Sequence, residues 1–368
     1  MKFVCSREAL LRPLNVVVGV VERRQTLPIL ANVLLSLVGN KLSLTGTDLE
    51  VELLGRVNLE EPGQDGDITV PARKLTDICK SLPEGSQLEI SQDEQKLIVK
   101  SGRSRFSLAT LSADDFPNVD EDAEQSEFSI SQSQLKRLID RTSFAMAQQD
   151  VRYYLNGMLF ELSVGGLKLV ATDGHRLALC EANGLDGVQE EKQIILPRKG
   201  VIELSRLLQE PDESIRLSLG RNHLRAETNE FRMTSKLVDG KFPDYQRVLP
   251  KGGNQLLHAD RGLLRQSFSR AAILSNEKYR GVRLTLDRDS LQIVASNPEQ
   301  EEAEETVAVD YQGDSMEIGF NVNYLLDVLG VIEGETVRIT LSDANSSALL
   351  EEAEAASDSQ YVIMPMRL

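Results

Sequence analysis

The residues best suited to chemistry lie at positions 172–176, where the sequence reads Thr-Asp-Gly-His-Arg. A carboxylate beside an imidazole is a frequent arrangement for general acid–base catalysis, so one hypothesis is a soluble enzyme centred on Asp173 and His175. A counterpart at positions 45–50, Thr-Gly-Thr-Asp-Leu-Glu, has no histidine. The portion that both segments share predicts an Asp/Gly turn between strands, and we interpret His175 and Arg176 as additions that serve binding.

Other signatures of catalysis or metal binding do not occur in the sequence. There is no GxxxxGK[ST] loop, GxGxxG turn, HExxH, GxSxG or EF-hand loop, and the three histidines are scattered. Cys5, Cys79 and Cys180 show no CxxC spacing. We expect them to be small buried residues in a reducing compartment, and we expect neither a metal nor a cofactor.

The elements that would position these residues recur along the chain with a period of roughly 125 residues. The repeated segments read LSLTGTDLEVEL at 42–53, LKLVATDGHRLAL at 167–179 and LQIVASNPEQEEA at 291–303. A strand that runs into a helix follows each segment, at 69–82, 195–208 and 319–332, and another predicted helix precedes each, at 6–18, 131–146 and 260–274. We therefore predict three similar domains, at 1–124, 125–253 and 254–368.

Hydrophobic periodicity predicts the class of these domains. Apolar residues spaced by three and four mark the helices, as at Leu135, Leu138 and Ile139. Short alternating runs, such as 41–44 and 337–341, mark strands. Two helices and several strands in adjacent runs predict an α+β fold in which the helices of each domain pack on antiparallel sheets.

Charge is distributed unevenly over the chain. Taken alone, the net charge of −16 argues against nucleic-acid binding. The charge is uneven, however, because residues 1–125 carry −6, residues 126–255 carry +1 and residues 256–368 carry −11. Basic residues recur on five of the six predicted helices: Arg7, Arg12, Arg73, Lys74, Lys80, Lys136, Arg137, Arg141, Arg198, Lys199, Arg206, Arg261, Arg265 and Arg270. They are either ordinary solvated helix faces or, if the helices face one direction, a locally basic surface that attracts phosphates.

Two runs of opposite charge occupy corresponding late positions in the first and third repeats. Residues 96–105 (KLIVKSGRSR) hold four cations and no anion, and residues 299–305 (EQEEAEE) hold five glutamates. Each run is consistent with a solvated surface only, but carboxylates on both faces of an extended segment favour an edge strand for 299–305, and two copies that pair these oppositely charged runs head to tail would close a ring. Exposed ion pairs contribute only ~0–1 kcal/mol each, so apolar neighbours would supply most of the binding.

The ends of the chain give two further expectations. Residues 361–368 (YVIMPMRL) predict either a final buried strand or an adaptable peptide pocket, since methionine packs around varied partners. Arg7 and Glu8 precede any signal-like apolar core, and no apolar run approaches the ~20 residues of a membrane span. We expect a cytoplasmic protein with no membrane partner.

Over its whole length the chain resembles the bacterial DNA sliding clamps, the β subunits of the replicative DNA polymerase. The motifs that carry the resemblance are LPIL at 27–30, LTGTDLE at 44–50, VPARK at 70–74, SGRSRFSL at 101–108, QDVRYYLNGMLFE at 149–161, VATDGHRLA at 170–178, PRKGVIEL at 197–204, SKLVDGKFPDY at 235–245, AAILSNEKYRGVRL at 271–284, NPEQEEAEE at 297–305 and YVIMPMRL at 361–368.

The resemblance implies a DNA-clamp fold and a head-to-tail homodimeric ring with twelve helices around its hole. Double-stranded DNA would pass through the ring without sequence readout. The clamp itself would perform no chemistry, and it would tether the replicative polymerase, the clamp loader and other clamp-motif proteins of replication and repair at the nucleoid. A protein-only scaffold is the third hypothesis, beside the clamp and the enzyme.

The resemblance also assigns three sets of residues. The DNA-binding set is Arg24, Arg73, Gln149, Tyr153, Tyr154, Arg198 and Lys199. The partner-peptide set is Arg152, Leu155, Thr172, Gly174, His175, Arg176, Leu177, Pro243, Val248, Asn321, Tyr324, Val362, Met364, Pro365, Met366 and Arg367. The dimer-interface set is Lys74, Arg103, Arg105, Phe106, Leu108, Ile273, Leu274, Glu299, Glu301, Glu302, Glu304 and Glu305. Asn345 and Ser346 are polar where family members often have small or apolar residues at the pocket rim.

Overall fold

Six α-helices occur in the computed structural model, which describes residues 1–21, 27–117, 126–185, 187–188, 191–353 and 358–367. They are α1 (Arg7–Val17), α2 (Ala72–Ser81), α3 (Gln132–Thr142), α4 (Arg198–Leu207), α5 (Arg261–Ala271) and α6 (Val322–Val331). Four of them begin at a side chain that caps the first turn. The Ser6 hydroxyl accepts from the N–H of Ala9 and the Asp260 carboxylate accepts from that of Leu263, and Ser131 and Asn321 cap α3 and α6 in the same way. The predicted helix positions are confirmed.

The strands of the same ranges all pair antiparallel. Those of the first repeat are β1 (Lys2–Ser6), β2 (Asn32–Val38), β3 (Lys41–Thr47), β4 (Val51–Asn58), β5 (Gly66–Pro71), β6 (Gln87–Asp93), β7 (Lys96–Ser101) and β8 (Ser104–Ala109). The second repeat contains β9 (Ser126–Ser131), β10 (Gly157–Ser163), β11 (Gly166–Thr172), β12 (Arg176–Asn183), β13 (Lys192–Pro197), β14 (Ser214–Leu219), β15 (His223–Glu227) and β16 (Phe231–Lys236). The third contains β17 (Gln255–Asp260), β18 (Gly281–Asp287), β19 (Ser290–Ser296), β20 (Glu302–Ala308), β21 (Asp310–Tyr311), β22 (Met316–Asn321), β23 (Thr336–Leu341), β24 (Ala348–Glu352) and β25 (Ser359–Ile363).

The chain forms two compact units, of which the first comprises Met1–Leu135 and Lys199–Leu237. Within its described residues, one sheet has the order β1-β6-β7-β8 and the other has the order β5-β2-β3-β4-β16-β15-β14-β9. The apolar faces of these sheets and the buried stripe of α1 form its core, in which Leu10, Leu14, Leu35 and Leu44 are fully buried. This alternation of buried and exposed residues along the strands is the pattern that the sequence predicts.

The second unit comprises Lys136–Arg198 and Val238–Leu368. Its described strands form a sheet of order β13-β10-β11-β12-β25-β24-β23-β17-β21 and a sheet of order β20-β19-β18-β22. Large aromatic residues fill its core, and Phe160, Phe268, Phe320, Tyr311 and Tyr361 are almost wholly buried.

The two units divide the second repeat between them, because each long sheet runs through two repeats. In the first unit β16 pairs with β4, and in the second unit β12 pairs with β25. Neighbouring repeats therefore share continuous hydrogen-bonded sheets. The boundary predicted at 124/125 lies outside the described residues, and the boundary predicted at 253/254 stays a prediction.

Three of the helix arginines lie neither on a solvated helix face nor on a basic surface, so both alternatives that the sequence offered are wrong for them. Arg7 Nε donates to the carbonyl of Cys79 across 2.8 Å, and Arg261 Nε donates to that of Gly334 across 2.9 Å. Both satisfy carbonyl groups at or just beyond the end of a helix, which lack partners within it. The Arg141 side chain is only 4% exposed and pairs with carboxylates. The number of cations along a helix does not show whether each cation binds a partner inside the protein or lies on the surface.

The structure tests the predictions for the three cysteines, for the C-terminal strand and for membrane-spanning segments. Cys5, Cys79 and Cys180 are buried free thiols, as predicted, and burial raises the pKa of Cys5 to about 12. The predicted final strand ends at Ile363, beyond which Met364 is 45% exposed. Among the helices of the described ranges, none combines the length and apolar character needed to span a bilayer.

Candidate functional site

The segment 172–176 folds as a tight turn whose side chains bind the backbone. Thr172 Oγ1 donates to the carbonyl of Arg176 across 2.6 Å and accepts from the N–H of Gly174 at 3.1 Å. Asp173 Oδ1 accepts from the N–H groups of His175 and Arg176 at 2.9 and 3.1 Å. The carboxylate that the enzyme hypothesis requires as a base is therefore occupied in holding the turn.

The same network recurs at 47–51, where no histidine is present. Thr47 Oγ1 donates to the carbonyl of Val51 at 3.0 Å, and Asp48 Oδ1 accepts from the N–H groups of Glu50 and Val51 at 2.9 and 2.7 Å. Leu49 has a φ of 76° at the place where Gly174 has 88°. Because both repeats build the turn in the same way, the prediction that its shared portion is structural is confirmed.

Arg176 joins this turn to the elements around it. Its Nε donates to Asp173 Oδ2 at 3.1 Å, its Nη2 donates to the carbonyl of Phe144 at 2.8 Å, and its Nη1 pairs with Asp327. The guanidinium carbon also lies 4.5 Å from the ring centre of Tyr324 and 5.1 Å from that of Phe144. The side chain is 11% exposed, so it fixes the position of its neighbours rather than presenting a free charge.

The C-terminal segment is attached beside the turn. Leu177 pairs with Val362 in the β12–β25 register, and the N–H of Met364 donates to the carbonyl of His175 at 2.9 Å. The rings of His175 and Tyr324 are stacked, with 6.5 Å between their centres and 21° between their planes. Residues far apart in the sequence thus surround one surface of the second unit.

An apolar floor underlies this surface. It is a buried cluster that consists of Leu159, Val170, Leu177, Leu179, Ile195, Phe242, Tyr245 and Val362, with Tyr154 packed against it. Leu155 is buried next to Tyr154 in the sequence, and exposed Pro243 follows Phe242. Val248 donates its N–H to the carbonyl of Tyr245 at 2.9 Å and is 41% exposed. The surface therefore combines a rigid apolar floor with exposed apolar side chains at its edge, as in sites for apolar ligand groups.

A second cation lies at the edge of the turn. Arg152 donates to Asp150 through Nε at 3.0 Å and through Nη2 at 2.9 Å, and its Nη2 reaches the carbonyl of Asp173 at 3.4 Å. These hydrogen bonds lower the pKa of Asp150 to about 2. Gly174 has a φ of 88°, in the left-handed region that glycine adopts without strain, and a Cβ there would also lie 3.0 Å from Arg152 Nη2. Asp150 belongs to the QDVRYY motif, but we assigned it no role from the sequence.

The remaining residues of the peptide set lie around the C-terminal segment. Met366 donates its N–H to the carbonyl of Gly319 at 2.9 Å, and half-buried Pro365 and exposed Arg367 flank it. Asn321 Nδ2 donates to the carbonyl of Tyr279 at 3.3 Å. The rim residues Asn345 and Ser346 bind Asp343 in a turn of their own.

The predicted DNA-binding cations of the first unit hold backbone carbonyls. Arg73 Nη2 donates to the carbonyl of Val21 at 2.8 Å, and Lys199 Nζ donates to that of Val20 at 3.4 Å. Lys199 also pairs with Asp48, whose side chain is only 6% exposed. Part of the charge of Lys199 is therefore compensated, which the sequence did not indicate. Arg24 lies outside the described residues.

The members of the DNA-binding set in the second unit differ in exposure. Arg198 Nη1 donates to the carbonyl of Met146 at 3.3 Å, whereas Gln149 is exposed in a left-handed conformation with a φ of 57°. Tyr153 is 58% exposed and meets Tyr154 edge to face at 5.9 Å. These exposed polar and aromatic groups can contact a phosphate backbone without reading a base sequence.

The basic part of the interface set lies on an open sheet edge of the first unit. Strand β8 ends the sheet β1-β6-β7-β8, and Arg105 is exposed on it. Phe106 is half-buried and Leu108 is 8% exposed. Arg103 is exposed in the preceding turn, and Lys74 is exposed on α2.

The acidic part lies on an open edge of the second unit. Strand β20 ends the sheet β20-β19-β18-β22 and carries Glu302, Glu304 and Glu305, so the predicted edge strand is confirmed. Two of these glutamates have partners within the chain, because Arg270 contacts both oxygens of Glu305 at 2.7 Å and Gln292 donates to Glu304 at 2.6 Å. Ahead of the strand lie exposed Glu299 and Glu301, and near it Ile273 is 75% exposed beside half-buried Leu274.

The comparisons with protein families match three consecutive parts of the chain. The N-terminal domain of the DNA polymerase III beta subunit matches residues 1–120, its central domain matches 129–244, and its C-terminal domain matches 246–367.

Individual relatives match over the full length. The beta sliding clamp of Pseudomonas putida is 64% identical over 368 residues, and that of Escherichia coli K12 is 54% identical over 368 residues, with 100% of each chain covered in both cases. The crystal structure of the DNA polymerase III subunit beta from Pseudomonas aeruginosa is 64% identical, with a TM-score of 0.97 and complete coverage of both chains. The Caulobacter crescentus pol III beta structure, 39% identical with complete coverage of both chains, has a TM-score of 0.94.

Proposed function

The chain belongs to the DNA polymerase III beta subunit family, the non-catalytic sliding clamps that make the polymerase processive, and we propose that two copies close a ring around duplex DNA. The proposed ring slides along DNA and tethers the replicative polymerase, the clamp loader and other clamp-motif proteins through one peptide-binding surface on each subunit. It works in the cytoplasm, on the nucleoid.

The observation that carries the ring is that one chain has two open sheet edges of opposite charge, β8 and β20. An open edge presents unpaired backbone donors and acceptors to another strand. Because the two edges differ, the basic edge of one copy can pair with the acidic edge of a second copy. Two such heterologous contacts form a closed ring if the rotation that relates the copies returns to its starting point. The charges set the register, with Arg103 and Arg105 facing the glutamates of the other copy.

Apolar contacts supply most of the proposed interface energy. Exposed ion pairs give only ~0–1 kcal/mol each, and Glu305 already has a partner in Arg270. Ile273 exposes three quarters of its surface beside half-buried Leu274. Burying Ile273 and Leu274 against Phe106 and Leu108 of the other copy would remove this apolar surface from water.

Retention on DNA then comes from the closed ring and not from tight contacts. Arg73 and Arg198 donate to backbone carbonyls, and Lys199 also pairs with Asp48, so these cations contact phosphates only weakly. Phosphate contacts of this kind are independent of sequence and weaken as salt rises. A ring with such weak contacts can move along the duplex and stay on it. The net charge of −16 discourages binding of DNA to the outside of the protein.

The peptide site is proposed at the surface around His175, Tyr324 and Met364. It offers an apolar floor fixed by the β12–β25 pairing, the stacked rings of exposed His175 and half-buried Tyr324, and an exposed methionine. These groups accept aliphatic and aromatic side chains of a short partner segment. Arg176 and Arg152 hold the turn beside the floor, so the site is rigid before a peptide binds.

Primer extension on a singly primed circular template tests this function. With a replicative polymerase and clamp loader from a close relative, the chain is expected to lengthen the products made in a single binding event. Products of unchanged length would contradict the proposal. A protein-only scaffold is distinguished by the loading step itself, since a scaffold would not be retained on circular DNA after incubation with the clamp loader.

A further inference from the structure

A second cleft adjoins the proposed peptide site on the second unit. It has a volume of about 450 Å³ and is lined by side chains of β18, β19 and β20 and by the C-terminal Met366 and Arg367. Tyr279, 56% exposed, forms one wall, and Val294 lies on its floor. The cleft thus offers an aromatic ring, two apolar side chains and several polar groups on one rigid sheet.

The cleft is locally basic within the most acidic part of the chain. Residues 256–368 carry a net charge of −11, yet Arg283 and Arg367 both line the cleft and Lys278 lies over the ring of Tyr279 at 5.1 Å. Glu302 also lines it, and Glu317 approaches Arg283 Nε at 3.5 Å. Two cations and one carboxylate therefore line the cleft, whereas Lys278, Glu317 and Glu304 lie beside it, and the Arg283 side chain remains 49% exposed.

Two contacts connect the wall of the cleft to the peptide site. Met366 lines the cleft and is held in place by its hydrogen bond to the carbonyl of Gly319 at 2.9 Å. Asn321, from the peptide set, donates to the carbonyl of Tyr279 at 3.3 Å, on the wall of the cleft. The cleft therefore lies next to the peptide site, along the C-terminal segment, within reach of the flank of a bound peptide.

We propose that this cleft binds the flank of a partner peptide, in which an aspartate or glutamate side chain lies between Arg283 and Arg367 and a neighbouring apolar side chain packs on Val294 and Tyr279. A carboxylate matches the planar guanidinium donors, and charge complementarity favours partners with an acidic flank over those with a basic one. This inference rests on the proposed peptide site and adds a determinant of partner choice to it.

Selection from a phage-displayed library of random 16-residue peptides on the full-length chain tests the proposal. On the unaltered chain we expect selected peptides to share an apolar core and to carry Asp or Glu at a constant distance on one side. Peptides selected on the Arg283→Glu variant, or on the neutral Arg283→Gln variant, should share the same apolar core but should no longer be enriched in Asp or Glu. A selected acidic peptide should bind these variants roughly 3- to 10-fold more weakly at low salt, as expected for one or two exposed ion pairs.

The matched control is Arg288→Glu, which reverses an exposed arginine of the same repeat that does not line the cleft. It should leave the acidic preference intact. An apolar core without acidic enrichment, or enrichment that survives Arg283→Glu, would overturn the inference while the peptide site stands. If Met364→Asp still selects the same apolar cores, the peptide site itself is misplaced and this inference fails with it.

Discussion

The backbone N–H of Met364 donates a hydrogen bond to the carbonyl of His175 across 2.9 Å. This contact joins the end of the third repeat to the turn of the second repeat, beside the ring pair of His175 and Tyr324. The proposed peptide site therefore exists only where two repeats share one sheet, and a single repeat would not contain it.

Replacement of Met364 by aspartate should weaken peptide binding at least 10-fold. The substitution places a charge beside the apolar floor, and the backbone hydrogen bond to His175 does not depend on the side chain. Fluorescence anisotropy with a library-selected peptide measures the loss, and Val164→Asp serves as control because Val164 is 76% exposed elsewhere in the unit. His175→Ala should also weaken binding and leave loading onto DNA intact. Unchanged peptide affinity in both variants would place the site elsewhere.

Replacement of Ile273 and Leu274 together by aspartate should yield monomers. The change puts two charges into the apolar part of the proposed junction, where they would lose water without gaining partners. Sedimentation velocity should show a single species near the 40.8 kDa of one chain. Val164→Asp should remain dimeric, and a dimer that persists in the double variant would refute this junction.

Replacement of Arg141 by alanine should lower the free energy of unfolding of the second unit by about 3 kcal/mol. The Arg141 guanidinium pairs with Glu333 at 2.7 Å and with Glu352 and Asp358 at 3.2 Å, and its side chain is only 4% exposed. Its removal leaves Glu352 and Asp358 without this cation. Urea unfolding measures this decrease. As a control, Lys136→Ala removes an exposed ion pair with Asp140 and should lower the free energy of unfolding by no more than about 0.5 kcal/mol. Equal decreases in the free energy of unfolding for the two variants would contradict this account.

The pair of Asp150 and Arg152 should persist into strongly acidic solution. The hydrogen bonds from Arg152 lower the pKa of Asp150 from 3.8 to about 2. Because the folded pKa is lowered, the contribution of the pair to stability is present above about pH 4 and is lost as the pH falls through about 2. A carboxyl ¹³C titration should give a midpoint near 2, and Arg152→Ala should return it toward the ordinary value. A wild-type midpoint near 4 would show that the pair does not form in solution.

The helices and most strands could be predicted from the sequence because each depends on local pattern. Ser6 and Asp260 cap their helices as their residue types indicate, and Leu135, Leu138 and Ile139 form the buried stripe that their spacing predicts. The turn at 172–176 could be predicted as well, since a threonine and an aspartate supply its hydrogen bonds in two repeats.

Long-range partners could not be predicted in this way. Nothing in the sequence indicates that Arg141 is buried, that Lys199 pairs with Asp48, or that Phe144 and Asp327 hold Arg176. These contacts depend on which strands share a sheet, and the pairing of β4 with β16 and of β12 with β25 crosses the repeats. Periodicity predicts the elements but leaves the pairing between repeats undetermined.

The central claim is that the closed ring retains the protein on DNA, and the direct test compares nicked circular with linear duplex. After loading at physiological salt, the protein should stay on circles through gel filtration and leave linear DNA rapidly through its ends. Blocking both ends with bound protein should restore retention on linear DNA, and the Ile273/Leu274 double variant should be lost from both. Equal retention on circles and on free linear duplex would contradict the account, because it would show that contact with DNA, and not encirclement, holds the protein in place.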